Sequence, residues 1–194
     1  LSVIFYHAGF QLFSGGYVGV DVFFVISGFL ITHILLEEQA DASFRYVSFY
    51  ERRARRILPA LLVVLIASSV LAYNYLSPQD LRLFSKNLLG ANIFIANIIS
   101  YQQTNYFDAA SEIKPLLHLW SLSIEEQYYL LLPPLLLLCG KRTNKTAIAA
   151  ILALIFIGVA FSEKTIYTNQ RAAFFFLQYR AWELLVGSLA AFMA

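Results

Sequence analysis

Three groups of residues in this sequence combine side-chain type and spacing suited to chemistry, and two of them sit where charge is expensive. Glu125 and Glu126 are adjacent carboxylates inside LLHLWSLSIEEQYYLLLPPLLLL, from Leu116 to Leu138, a run apolar enough to enter a bilayer. A charge placed there is costly unless it faces protein or water. If the run is helical, His118, Ser121, Glu125 and Tyr128 fall on one face at spacings of three and four, a polar stripe beside a greasy surface. The competing reading is an interfacial anchor, with a Trp, two Tyr and some charges at the membrane boundary.

His7 lies about two turns inside another apolar helix, and imidazole is the side chain best suited to move a proton near neutral pH. An ionisable residue inside a membrane is a functional candidate, the alternative being a neutral His hydrogen-bonded to a neighbouring helix. The third group is Arg45, Arg52, Arg53, Arg55 and Arg56, the last four within FYERRARRILPAL. Arg53 with Arg56, and Arg52 with Arg55, are three apart and put planar forks on one helix face, a geometry suited to phosphate oxygens of a nucleotide or coenzyme A. The same arginines also serve as a topogenic signal and a contact for anionic lipid. There is no Gly-rich phosphate loop and no GxSxG elbow.

The elements that must position these groups are membrane helices. Of 194 residues, 59% are hydrophobic, 16% aromatic and only 13% charged, with a mean hydropathy of +0.65. A soluble domain of this length has too much surface for that balance, so the fold class is all-α, a polytopic transmembrane bundle. A net charge of +2 offers nothing for a nucleic acid. Cys139 is the single cysteine, which excludes an internal disulfide and a multi-cysteine metal site, and no metal is expected.

Taken in order, LSVIFYHAGFQLF is about half a span, and Ser14-Gly15-Gly16 is a turn. Tyr17 to Leu36 has the length of a second span, with Asp21 one turn inside. A buried carboxylate needs a partner, unless Asp21 simply complements the helix dipole. Ser27-Gly28 is a small-residue site where another helix can approach closely. The arginine-bearing stretch 37–56 reads as a cytoplasmic loop. Pro59 is expected in a first helical turn, Ile57 to Leu76 as a third span, and Ser77-Pro78 as its end. Asn87 to Ile99 suits one short re-entrant or surface helix. Lys141, Arg142 and Lys145 mark a second inner end after the glutamate helix, which Pro133-Pro134 should kink. Thr146 to Phe161 reads as a short span, Ser162 to Tyr179 as an outer segment, and Arg180-Ala181-Trp182-Glu183 as the opening of a last, truncated span. Arg180 and Glu183 are three apart and can pair. About six membrane helices result, counting the truncated first and last.

Five signatures stand together and in order: FYHAGF, GGYVGVDVFFVISGFLIT, SFYERRARRILPAL, PLLHLWSLSIEEQYYLLLP and YRAWELLVG. From about Val3 to Gly187 the chain resembles the bacterial membrane-bound acyltransferase 3 family, most closely its O-antigen or polysaccharide O-acetylase branch. The resemblance implies a multi-pass enzyme of the bacterial inner membrane. Such an enzyme takes an acetyl group from cytoplasmic acetyl-CoA and places it on a hydroxyl of an envelope glycan such as lipopolysaccharide. Carried over residue by residue, His7 is the catalytic base, with Glu125 or Glu126 orienting it. Arg53 and Arg56 are the donor-binding RxxR pair, with Arg52 beside them. Trp120 and Ser121 belong to the WSLxxEEQ motif, Arg180 and Glu183 to RxWEL, and Asp21 and Ser27 to the second signature.

The resemblance further implies that residues 1–194 are part of a membrane domain of about ten spans. The start and the C-terminal half would then lie outside this sequence, and an extracytoplasmic SGNH-type domain accompanies some relatives. On that expectation the isolated segment is inactive. The partners implied are an acyl-CoA, a glycan acceptor and membrane lipids. A transporter or exporter of a lipid or glycan, its path lined by the buried charges, is the reading from another class, and an inactive gene fragment is the blandest one.

Overall fold

The computed structural model describes residues 2–7, 10, 12, 14–41, 43–103, 115–138 and 144–194. They are helical almost throughout: α1 (Ser2–His7), a 3-10 turn (Gly16–Val18), α2 (Gly19–Ala40), α3 (Tyr46–Tyr75), α4 (Pro78–Asn92), α5 (Ala96–Gln103), α6 (Leu119–Leu138), α7 (Asn144–Thr168), α8 (Gln170–Phe175) and α9 (Leu177–Ala191). Among the described residues no strand occurs, as the all-α expectation requires. Three helices are long and apolar enough to cross a membrane, at Gly16–Ala40, Tyr46–Tyr75 and Lys145–Thr168. The 20-residue α6 falls outside that set, since Glu125, Glu126, Gln127 and Pro133-Pro134 dilute its leucines. Large apolar side chains such as Val63, Ile66 and Phe156 stand exposed on α3 and α7, the sidedness of helices whose solvent is lipid.

Several sequence expectations change. Pro59 lies well inside α3, because the helix starts at Tyr46 and runs straight through the arginines. The stretch read as a cytoplasmic loop is therefore largely helical, and Pro59 leaves the Arg55 carbonyl without its usual partner. Segment 87–99 is two helices. The break follows Asn92, where Phe94 takes a left-handed backbone (φ 54°) and Ile95 N–H donates to Gly90 C=O at 2.8 Å. That is a helix-ending geometry in which glycine usually stands, so no glycine advertised it. The α7 helix is longer than a span over 146–161, and 162–179 is mostly helix because α7 continues to Thr168 and α8 follows. The end of the third span expected at Ser77-Pro78 is present, since α3 stops at Tyr75, and the same residues open α4: Ser77 Oγ accepts from Asp80 N–H at 3.2 Å and Pro78 occupies the first turn.

The chain divides into two compact units, Glu37–Glu126 and Leu1–Leu36 with Gln127–Ala194. In the first, Leu61, Leu65 and Ala72 of α3 pack with Phe84, Ala91, Ala96, Leu116 and Leu119. Ser123 Oγ, buried on α6, accepts from the Ala96 N–H at 3.1 Å and so holds the start of α5. In the second, α2 and α9 touch backbone to backbone. A Cβ at Gly28 would collide with the Leu184 carbonyl, and one at Gly187 with the Val25 carbonyl. The close helix approach expected at Ser27-Gly28 is therefore present, and Ser27 is buried beside it. Along α7, Gly158 admits Trp182 of α9, with a Cβ there only 3.1 Å from the Trp182 Cβ.

Candidate functional site

In unit 37–126, α3 and α6 bring together residues that the sequence holds more than 70 positions apart. Arg53 is half-buried on α3, Glu125 is buried on α6, and Glu126 beside it is half-buried. The Arg53 cation and the Glu125 anion both act on Glu126, which in turn acts on Tyr50, one helical turn before Arg53. Glu126 Oε1 is buried with no hydrogen-bond partner among the described residues. A carboxylate oxygen kept dry beside a guanidinium is poised for a donor that the described residues do not provide.

The other arginines go elsewhere. Arg52 donates to Glu38, and Arg55 Nη2 donates to Glu51 Oε1 at 2.7 Å one turn back, both on exposed surface. Arg56 is exposed. The Arg52 and Arg55 forks are thus engaged by glutamates of the same unit, while the Arg53 charge acts on Glu126. Helix periodicity could not separate them, because the partners Glu38 and Glu126 come from other elements.

In the other unit, Asp21 finds its partner. Arg180 Nη2 donates to Asp21 Oδ1 at 2.7 Å, and Nη1 lies 3.0 Å from Glu183 Oε1. The expected Arg180–Glu183 pair is present, and Asp21 joins it from α2. The Glu183 side chain is 3% exposed, Arg180 15% and Asp21 38%. The guanidinium carbon also stands 5.6 Å from the Phe24 ring centroid and 5.5 Å from that of Phe174. One cation thus serves two carboxylates and two aromatic faces.

His7 ends α1, and its side chain lies outside the described residues, so its pairing with Glu125 or Glu126 stays an expectation. Trp120 is 2% exposed and packs in the interior at the start of α6. Ser121 Oγ donates to the His118 carbonyl at 3.1 Å. His118 itself precedes α6 and is exposed, so the predicted polar stripe begins at Ser121. Among the described residues no group of three His, Cys, Asp or Glu could hold a metal ion.

A buried hydroxyl cluster escaped the sequence reading. Thr32 Oγ1 on α2 donates to Ser188 Oγ on α9 at 2.6 Å, and the Tyr128 hydroxyl on α6 lies 2.6 Å from the same oxygen. Ser188 Oγ is also 3.2 Å from the Leu184 carbonyl and 3.3 Å from the Gly28 carbonyl. The signal was present: Gly187-Ser188 is a second small-residue pair matching Ser27-Gly28.

Comparison with known proteins bears on what this arrangement serves. A family model described as an acyltransferase domain matches residues 1–193. A Haemophilus influenzae protein without a functional name is 36% identical over 89% of this chain and 73% of its own length. A Staphylococcus aureus (strain COL) protein, named provisionally as an O-acetyltransferase, is 35% identical over 100% of this chain but 33% of its own length. The peptidoglycan O-acetyltransferase OatA of Listeria monocytogenes is 32% identical over 100% of this chain and 32% of its own length. The chain therefore spans about a third of the two relatives whose names carry an activity. No solved structure matches it.

Proposed function

The chain belongs to the acyltransferase domain family, and from that premise we propose that it works within a membrane O-acyltransferase moving an acetyl group from cytoplasmic acetyl-CoA to a hydroxyl of a cell-envelope glycan. The supporting observation is the convergence of Arg53 with the Glu125-Glu126 pair in one compact unit. A phosphate-matching fork next to buried carboxylates combines donor recognition with a site able to handle protons.

A sugar hydroxyl is a poor nucleophile at neutral pH, so its proton must leave as its oxygen attacks. In the proposed step that oxygen bonds to the thioester carbonyl carbon while the His7 imidazole takes the hydroxyl proton. The carbonyl oxygen becomes an oxyanion, stabilised by a cation or hydrogen-bond donor. Collapse breaks the C–S bond, and the sulfur leaves with its electron pair and recovers the proton from the imidazolium. A carboxylate from Glu125 or Glu126 orients the ring, as carboxylates orient histidine in hydrolase triads. Arg53 and Arg56 hold the donor's phosphates, and Arg52 joins them by exchanging Glu38 for a phosphate oxygen. The bacterial inner membrane is the proposed location, because donor and acceptor then reach the enzyme from opposite faces.

Membranes containing the full-length parent and supplied with acetyl-labelled acetyl-CoA provide the test. Label should accumulate in extracellular glycan and disappear with His7→Ala. Label that persists in that variant removes His7 as the base. A wild-type parent that exports unlabelled glycan favours a transporter instead.

A further inference from the structure

The Asp21–Arg180–Glu183 cluster has no part in the transfer step as written, yet it consumes three charges in a setting where charge is costly. We infer that Arg180 is a positioning residue: acting through Asp21, it holds the start of α2 and with it the His7-bearing helix α1, and it is not a ligand for a substrate anion. The inference rests on the proposed role of His7.

The guanidinium is already committed. Its Nη2 serves Asp21 at 2.7 Å and its Nη1 lies 3.0 Å from Glu183. The Phe24 and Phe174 rings stand 5.6 and 5.5 Å from its carbon. Phosphate and carboxylate are frequently held by two parallel N–H groups on one arginine edge. Here both terminal nitrogens face protein carboxylates and Nε is buried, so no edge opens to solvent, unlike exposed Arg56 on α3.

The path from Asp21 to α1 is short. Asp21 lies in the first turn of α2, and the 3-10 turn Gly16–Val18 runs into that helix without a break. Tyr17 of this turn meets Tyr6 of α1 edge-on, the ring centroids 5.8 Å apart. Tyr6 immediately precedes His7. On α2 the Gly28–Leu184 backbone contact lies seven residues, about 10 Å, further along the helix. Gly187 against Val25 and Thr32 against Ser188 hold α2 on α9 as well, so only the first turn of α2 depends on the ion cluster. Loss of that cluster leaves α2 seated from Val25 onward, so the bundle stays assembled while the start of α2, the 3-10 turn and α1 move together. A displacement of about 1 Å at a reacting group costs on the order of 100-fold in rate.

The test uses the full-length parent in native membranes, with Arg180→Gln, the milder Asp21→Asn, and Tyr17→Ala at the far end of the path. Each should lower kcat for acetyl transfer on the order of 10- to 100-fold, leaving KM for acetyl-CoA and for the glycan within about twofold. The Asp21→Asn/Tyr17→Ala double variant should be no slower than the worse single one, since both break the same path. An Arg180→Gln variant with unchanged kcat and a raised KM, or a double variant whose losses multiply, overturns the inference. A second measurement needs no activity: hydroxyl-radical footprinting, read by mass spectrometry, should show Tyr6 labelling rise several-fold in Asp21→Asn. Unchanged Tyr6 labelling overturns the inference even if the transfer assay fails for the wild type, a failure that counts against the proposed function alone.

Discussion

The Tyr128 hydroxyl of α6 lies 2.6 Å from Ser188 Oγ of α9, and both are buried. Ser188 Oγ accepts from Thr32, either hydroxyl of the Tyr128–Ser188 pair can donate to the other, and the Leu184 and Gly28 carbonyls stand within reach of the same oxygen. Three helices therefore meet at one oxygen. Within the unit formed by Leu1–Leu36 and Gln127–Ala194, this oxygen also fixes the rotation of α6 from Gln127 onward.

Ser188→Ala removes the shared partner of two buried hydroxyls. The expected loss is about 1–3 kcal/mol, read as a lower melting temperature of the detergent-purified parent. Tyr128→Phe strands nothing, because Ser188 keeps Thr32 and the two carbonyls, and its loss should be clearly smaller. Equal losses would show that the hydroxyls do not share one partner.

Gly28→Ala and Gly187→Ala each drive a methyl group into opposing backbone, which cannot move aside as a side chain can. Each should cost about 1–3 kcal/mol or more, seen as reduced accumulation of folded protein in membranes. Gly15→Ala is the control, since nothing lies within 4 Å of a Cβ there. A Gly28→Ala variant as stable as Gly15→Ala would contradict the close approach of α2 and α9.

Arg53 and Arg56 share a motif but have different surroundings, so their variants should differ. Arg53→Gln removes the proposed donor contact and also the cation that acts on Glu126; it should raise KM for acetyl-CoA and lower the melting temperature. Arg56→Gln, on exposed surface, should raise KM alone. Thermal shift and initial-rate assays on the full-length parent separate the two. Identical melting temperatures would deny the Arg53–Glu126 interaction.

Ser123→Ala deprives the Ala96 N–H of its acceptor. A buried N–H left unsatisfied costs about 1–3 kcal/mol, and the effect should concentrate at α5. Hydrogen exchange in the full-length parent should show faster exchange across Ala96–Gln103 with α3 unchanged. Uniform acceleration would instead mean global destabilisation.

Local information in the chain was enough for much of this. The all-α class follows from a composition that water cannot accommodate, and Ser77-Pro78 marks the end of a span by local chemistry. The Arg180–Glu183 pair follows from helix periodicity, and the small side chains of Ser27-Gly28 announce a close helix contact. Where the sequence reading missed, the deciding groups were non-local or atypical. Phe94 breaks a helix where glycine would usually signal it, Pro59 sits inside a helix that starts further upstream, and the α7–α8 region is helical despite its polar residues.

The sequence by itself determined that buried charges would need partners, since an isolated carboxylate among apolar helices is intolerable whatever the fold. Only the tertiary structure decided which partners: Asp21 with Arg180 across 159 positions, Glu126 with Arg53, and Ser188 as the shared partner of two hydroxyls. Spacing along one helix fixes which residues share a face. Which face of another helix they meet depends on how glycines and bulky side chains let backbones approach, and that is a property of the packed bundle rather than of any one segment.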